Sequence, residues 1–275
     1  MIKIGFIDYY LDQWHANNYP EIIKECSDKF EVCCAYGTAS SPITGGTNEE
    51  WSKKYGIPLV DTIEEVIEKS DCLVVLAPNN PEMHEELCHL PLASGKPVYV
   101  DKTFAPDVAT AKRIFDHARA HNTPVWSASA LAFSDELKEF SKKNISFVRT
   151  VSGGKYETHI IHQIEPVIML MGEKPQRVMY TGTSEIGALA MEFSGGRIAQ
   201  LMSADTQNTF NICYKDCSVV TQSVESPFFK NFVQAMLEFF DTKVPPVSKE
   251  QTMAVISVME VLQKAKENPF VWVEI

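Results

Sequence analysis

Apolar positions along this chain follow two rhythms, and the change between them falls near residue 126. In the first half, short apolar runs alternate with stretches of helical spacing. Residues 2–7 predict a strand, and 15–30 carry Tyr19, Ile22, Ile23, Cys26 and Phe30 as the inner face of an amphipathic helix. Residues 31–36 predict a second strand and 59–60 a short third, followed by Asp61-Thr62-Ile63-Glu64, which has the form of a helix-starting capping box. Residues 71–77 are almost continuously apolar, as in a strand covered on both faces. A helix over 81–93 runs to Gly95, whose freedom suits a left-handed helix end. A strand ends near Val100, a helix spans 107–121 with Val108, Ala111, Ile114, Phe115 and Ala118 inward, and 124–127 makes a last strand. Regular strand–helix alternation predicts a doubly wound parallel sheet with right-handed crossovers.

From residue 127 the rhythm changes. Helices are predicted over 133–142 and 157–171, the second stopping at Gly172, with a strand over 145–151. Period-two runs follow at 177–180, 187–193, 197–203, 210–214 and 218–222, with Ser194-Gly195-Gly196 as a hairpin turn. The expectation is an α+β domain with a mostly antiparallel sheet, whose Met191, Phe193 and Met202 suit either core or a subunit contact. Ser226-Pro227 precedes a helix bearing Phe228, Phe229, Phe232, Val233, Met236, Leu237 and Phe240, a stripe that reads as core. Pro245-Pro246 reads as a linker, Ser248-x-x-Gln251 opens a helix to about 267, and 270–275 makes a final strand. Two domains are expected, 1–126 and 127–275.

Composition narrows the class of function. The 275 residues carry 25 basic and 36 acidic side chains, a formal charge of −11. Binding to nucleic acid or an anionic membrane needs a basic face, so neither is expected. The first residues enter a strand directly without a signal-like segment, and no apolar run reaches the ~18 residues of a membrane span. The seven cysteines show no Cys-x-x-Cys spacing and sit partly in strand-like runs, so they read as small buried hydrophobes of a cytoplasmic protein.

Candidate chemistry gathers where strands end. Asp101-Lys102 follows the Val100 strand, and ligands of such sheets bind at the C-terminal strand edge. A dinucleotide there is usually held by G-x-G-x-x-G after the first strand, with an acidic residue closing the second strand for the ribose. This chain instead has Asp8-Tyr9-Tyr10-Leu11-Asp12-Gln13-Trp14-His15, without glycine and with two carboxylates, and its second strand ends Ala35-Tyr36-Gly37-Thr38. Tyr9, Tyr10 and Trp14 have the bulk to fill the volume a cofactor would take. His159, His162 and Glu165 recur on one helical face, but three ligands on one helix diverge in angle, so no metal site is expected.

Several of these motifs together resemble the glucose–fructose oxidoreductase/inositol dehydrogenase (Gfo/Idh/MocA) family. They are Pro78-Asn79 with His84, then Ala93-Ser94-Gly95-Lys96-Pro97-Val98 leading to Asp101-Lys102-Thr103, and Gly153-Gly154 through His162 to Glu165. The resemblance spans nearly the whole chain. It implies an NAD- or NADP-dependent oxidoreductase that moves hydride at a CH–OH group of a sugar, cyclitol or related polyol, assembled as a dimer or tetramer. Lys102 would hold the reacting oxygen and His162 would take its proton, since hydride leaves more readily from a deprotonated carbinol. Cofactor contacts are implied at Ile7, Asp8, Tyr9, Tyr10, Pro78, Asn79 and Asp101. Departures fall on functional positions: Thr103 replaces a proline, and Thr158 stands where the family pairs an aspartate with the histidine. Glu157, one residue away, lies about 100° round the helix and is a poor substitute. The alternative expectation is a cofactor-free homologue that binds a small polyol or a protein partner.

Overall fold

The structure is a computed structural model that describes residues 1–138, 140 and 144–275. The chain divides into two compact units. Met1–Ala128 with Phe232–Lys249 form the first, and Ser129–Asn231 with Glu250–Ile275 the second.

The first unit is built on five parallel strands: β1 (Ile2–Asp8), β2 (Phe30–Gly37), β3 (Cys72–Val75), β4 (Val98–Val100) and β5 (Val125–Trp126), in the order β2-β1-β3-β4-β5. Helices α1 (Trp14–Cys26), α2 (Asn48–Tyr55), α3 (Ile63–Lys69), α4 (His84–Ala93) and α5 (Val108–Ala120) connect them. Strand order reverses between β1 and β3, and the crevice beyond such a switch point is where these sheets receive ligands. All four residues of β3 are fully buried, which explains their unbroken apolar run.

Four local expectations change. Helix α1 stops at Cys26 and Phe30 opens β2, so the helical spacing that reached Phe30 overran the turn. The strand expected at 59–60 reduces to one bridge, Ala35 to Leu59. The cap of α3 is Thr62, which accepts from the Glu65 amide, one residue later than the pattern suggested. Helix α2 was not anticipated, although Thr47 and Glu50 form a reciprocal capping box at its start.

In the second unit, α6 (Asp135–Lys138), β6 (Ile145–Ser152), α7 (Tyr156–His159), α8 (Ile161–Met171), β7 (Arg177–Tyr180), β8 (Ala188–Phe193), β9 (Arg197–Ser203), β10 (Thr209–Tyr214) and β11 (Val219–Ser223) follow. Then come α9 (Phe228–Thr242), α10 (Lys249–Glu267) and β12 (Val273–Glu274). The seven-stranded sheet runs β11-β10-β6-β9-β8-β7-β12 and is antiparallel except where β6 pairs with β9. Met191 and Phe193 are wholly buried core, whereas Met202 is half-buried. The helix expected over 133–142 is a 3-10 turn at Ala130–Phe133 and then α6; residues 139 and 141–143 lie outside the described ones. The helix expected over 157–171 is two helices that meet at Ile160.

Helix α9 ties late sequence to early sequence. Phe232 is fully buried, with ring centroids 6.1 Å from Tyr19, 5.4 Å from Tyr99 and 5.5 Å from Trp126, and Phe239 lies 6.0 Å from Trp126. The aromatic stripe is core, but most of it is core of the first unit. Among the described residues, no helix is long and apolar enough to cross a membrane.

Candidate active site

β1 delivers Asp8 to the C-terminal edge of the first sheet, and the chain then turns through Tyr9–Gln13 into α1. Gln13 shapes this turn with both ends of its amide. Its oxygen caps the helix by accepting from the His15 amide at 2.7 Å, while its nitrogen donates to Asp8 Oδ2 at 2.8 Å. At the end of β4, the Asp101 amide continues the sheet by donating to Val75 O at 2.8 Å. The Tyr99 hydroxyl donates to Asp101 Oδ1 at 2.8 Å, and His15 Nδ1 lies 3.4 Å from Asp101 Oδ2. Lys102 follows, joined to Thr103 by a cis peptide bond. Fully buried His84 spans from Leu76 O (3.0 Å) to Phe104 O (3.1 Å), which fixes the segment carrying Asp101 and Lys102 against the end of β3.

Burial governs the electrostatics here. Asp8 and Asp101 are 0% exposed, His15 8% and Lys102 9%. Desolvation pushes the Asp8 carboxyl well above the usual carboxylate range; the Gln13 hydrogen bond opposes this and the Asp101 charge adds to it. Desolvation brings the His15 imidazole down to about 4 despite the neighbouring Asp101 carboxylate, so the 3.4 Å contact joins a neutral ring, not an imidazolium, to Asp101 near neutral pH. Burial also lowers the Lys102 pKa, against the pull of Asp101.

Of the residues singled out in the sequence, Asp8, Asp101 and Lys102 share this neighbourhood. Ile7 is a fully buried strand residue paired with Tyr36 and Val75. Tyr10 is buried, Tyr9 half-buried and Trp14 46% exposed, so Tyr10 fills interior volume and Trp14 does not. Pro78 is buried beyond β3, and Asn79 is exposed. His15, Gln13 and Tyr99 went unrecognised because a histidine beside a helix cap and a strand tyrosine carry no pattern of their own.

His162 belongs to the second unit, near the start of α8. Its Nδ1 lies 2.6 Å from Ser129 Oγ, and the Ser129 amide donates to Glu165 Oε2. Gln251 donates to the other Glu165 oxygen at 3.3 Å. Burial raises the Glu165 pKa to about 7. Thr158 does not replace the missing aspartate, since its hydroxyl pairs with His159 Nδ1 at 2.8 Å. Glu157 is committed to Lys266. A serine hydroxyl thus holds the histidine where a carboxylate was expected. Among the described residues, no three His, Cys, Asp or Glu side chains gather to hold a metal ion.

The first unit was also tested for the dinucleotide that the resemblance implies. In such sheets a pyrophosphate lies on peptide N–H groups at the start of the first helix. Here the His15 amide is taken by Gln13 Oε1, the Gln13 amide by Leu11 O at 2.8 Å, and the Leu11 amide by Asn48 Oδ1 at 3.1 Å. The Asp8 and Asp12 carboxyls stand where a dianion would lie. At the end of β2, where a ribose-binding acid is needed, Asn48 Nδ2 donates to Gly37 O at 2.9 Å. The following segment closes over the first loop: the Ala39 amide and Thr38 hydroxyl both donate to Tyr9 O at 2.9 Å, and the Thr44 hydroxyl donates to Asp12. These residues do not fit a dinucleotide.

Residues 21–129 match the model of an oxidoreductase family described as having an NAD-binding Rossmann fold (GFO_IDH_MocA). No curated protein matches the sequence. Solved structures match its fold along the whole length. Scyllo-inositol dehydrogenase from Lactobacillus casei, with bound NAD(H) and scyllo-inositol, superposes with a TM-score of 0.80 at 14% identity, covering 99% of this chain and 98% of that one. A probable dehydrogenase from Thermotoga maritima gives 0.79 at 14% identity, covering 99% and 98%. Biliverdin reductase from Synechocystis, in complex with biliverdin and NADP+, gives 0.73 at 13% identity, covering 96% and 98%. The family match to the first unit, the motifs that run into the second and the shared fold agree: the chain belongs to the Gfo/Idh/MocA family of oxidoreductases.

Proposed function

We propose that this chain is a family member that binds a small polyhydroxylated molecule, a sugar, cyclitol or related polyol, at the C-terminal edge of its first sheet without a nicotinamide dinucleotide. Lys102 is the cation that engages a ligand hydroxyl there. His162, held through Nδ1 by Ser129, is the proton-carrying group proposed for the second unit. Association into a dimer or tetramer belongs to the same proposal. The observation that carries the reading is the Asp8–Gln13–His15 chain of hydrogen bonds, which occupies the helix start with the protein's own groups.

A second reading, an NAD(P)-dependent oxidoreductase acting on a polyol CH–OH group, is favoured by the family match over residues 21–129 and by the retained Lys102 and His162. Titration of the full chain with NADH and NADPH, followed by ligand fluorescence, separates the two. The expected result is no saturation at millimolar cofactor. Saturation at micromolar cofactor, lost in Lys102→Ala, would establish the second reading instead.

A further inference from the structure

Two carboxyl groups at the edge of the first sheet are anchored in the same way. Asp8 uses Oδ2 to accept from Gln13 and Asp101 uses Oδ1 to accept from Tyr99, both at 2.8 Å. The remaining oxygens, Asp8 Oδ1 and Asp101 Oδ2, are buried and make no hydrogen bond, and neither does His15 Nδ1, 3.4 Å from Asp101 Oδ2. Lys102 adjoins Asp101 in the chain and is itself more than nine-tenths buried; its ammonium makes no hydrogen bond to another described residue. Buried polar groups are nearly always paired, so several unpaired atoms in one neighbourhood call for an explanation.

The groups define what would satisfy them. Asp101 Oδ2 needs a donor and Lys102 offers donors. Asp8, kept protonated by burial, can do both through Oδ1. A hydroxyl group gives and takes at once, and two adjacent hydroxyls reach two such groups together. Two carboxyls in a desolvated place oppose an anion, while Lys102 opposes a cation, so the ligand is uncharged. We propose that Asp8, His15, Asp101 and Lys102 form a binding site for a neutral vicinal diol, in the crevice that this fold otherwise offers to a dinucleotide. The inference rests on the polyol-binding reading above and adds Asp8 and His15, which that reading does not use as ligand contacts.

Calorimetric titration of the full chain with myo-inositol tests it, using Asp8→Ala, Asp8→Asn and Asp101→Asn. Asp101→Asn keeps the shape but turns the unpaired acceptor into a donor. Asp8→Asn keeps an acceptor for Gln13, so it remains informative if Asp8→Ala folds poorly. The expected result is saturable binding by the parent chain, weakened about tenfold or more (about 1.4 kcal/mol) by Asp8→Ala and Asp101→Asn and less by Asp8→Asn. Absence of saturable myo-inositol binding overturns the diol site. So does an isotherm that Asp8→Ala and Asp8→Asn both leave unchanged. Tight NADH binding with the Asp8 effect on myo-inositol intact overturns only the dinucleotide-free reading.

Discussion

Glu165 has both carboxyl oxygens engaged, by the Ser129 amide and by Gln251, yet burial carries its pKa from 4.5 to about 7. Between those values the folded chain keeps a proton that the unfolded chain releases. Stability contributed at this position therefore falls as pH rises through the window, by up to about 3 kcal/mol, and the full penalty stands above it. Glu165→Gln removes the titration and keeps an acceptor for Ser129. Urea unfolding of parent and variant should give closely similar stabilities at pH 5 and a variant advantage growing toward pH 8. Parallel profiles across that range would show that Glu165 ionises normally. His162 was legible in the sequence because it falls on a family motif. Ser129, which holds it, was not legible, because a serine 33 residues away has no periodic or motif relation to it.

The two loops at the edge of β1 and β2 act as one element through Asn48. Its side chain accepts from Leu11 in one loop and donates to Gly37 at the start of the other. A Cβ on Gly37 would come within 2.7 Å of Asn48 Oδ1, so the glycine is needed for this close approach. Asn48→Ala leaves both backbone groups without their partner and is expected to cost about 1–2 kcal/mol. It should also speed amide exchange in peptides covering residues 9–12 and 38–47 relative to β1. Unchanged exchange there would mean that the Tyr9 and Asp12 contacts hold the loops unaided. The missing glycines showed plainly in the sequence. What replaced them did not, because Asp8, Gln13, His15 and Asn48 meet only after the strands align. Helix α2 could have been found from Thr47-x-x-Glu50, but the break at Ile160 is hidden by helical periodicity on both sides of it.

At the scale of the whole chain, alternation in the first half and period-two runs in the second were enough to place both sheets. The destination of α9 was not legible. An aromatic stripe declares that a face is buried but not what covers it, and here Tyr19, Tyr99 and Trp126 cover Phe232. Phe232→Ala should cost about 3–5 kcal/mol, with lowered cooperativity in Trp126-sensitive fluorescence unfolding. A loss below about 1 kcal/mol would show that this aromatic cluster repacks without it.

The return of residues 232–249 to the first unit also has a temporal meaning. A ribosome that has released Ala128 must add about 120 more residues before the missing helix is available, on the order of ten seconds of synthesis. Through that interval the nascent sheet presents Tyr19, Tyr99 and Trp126 uncovered. During translation this half of the protein is a client for holding chaperones, and it completes its fold only near the end of its own synthesis.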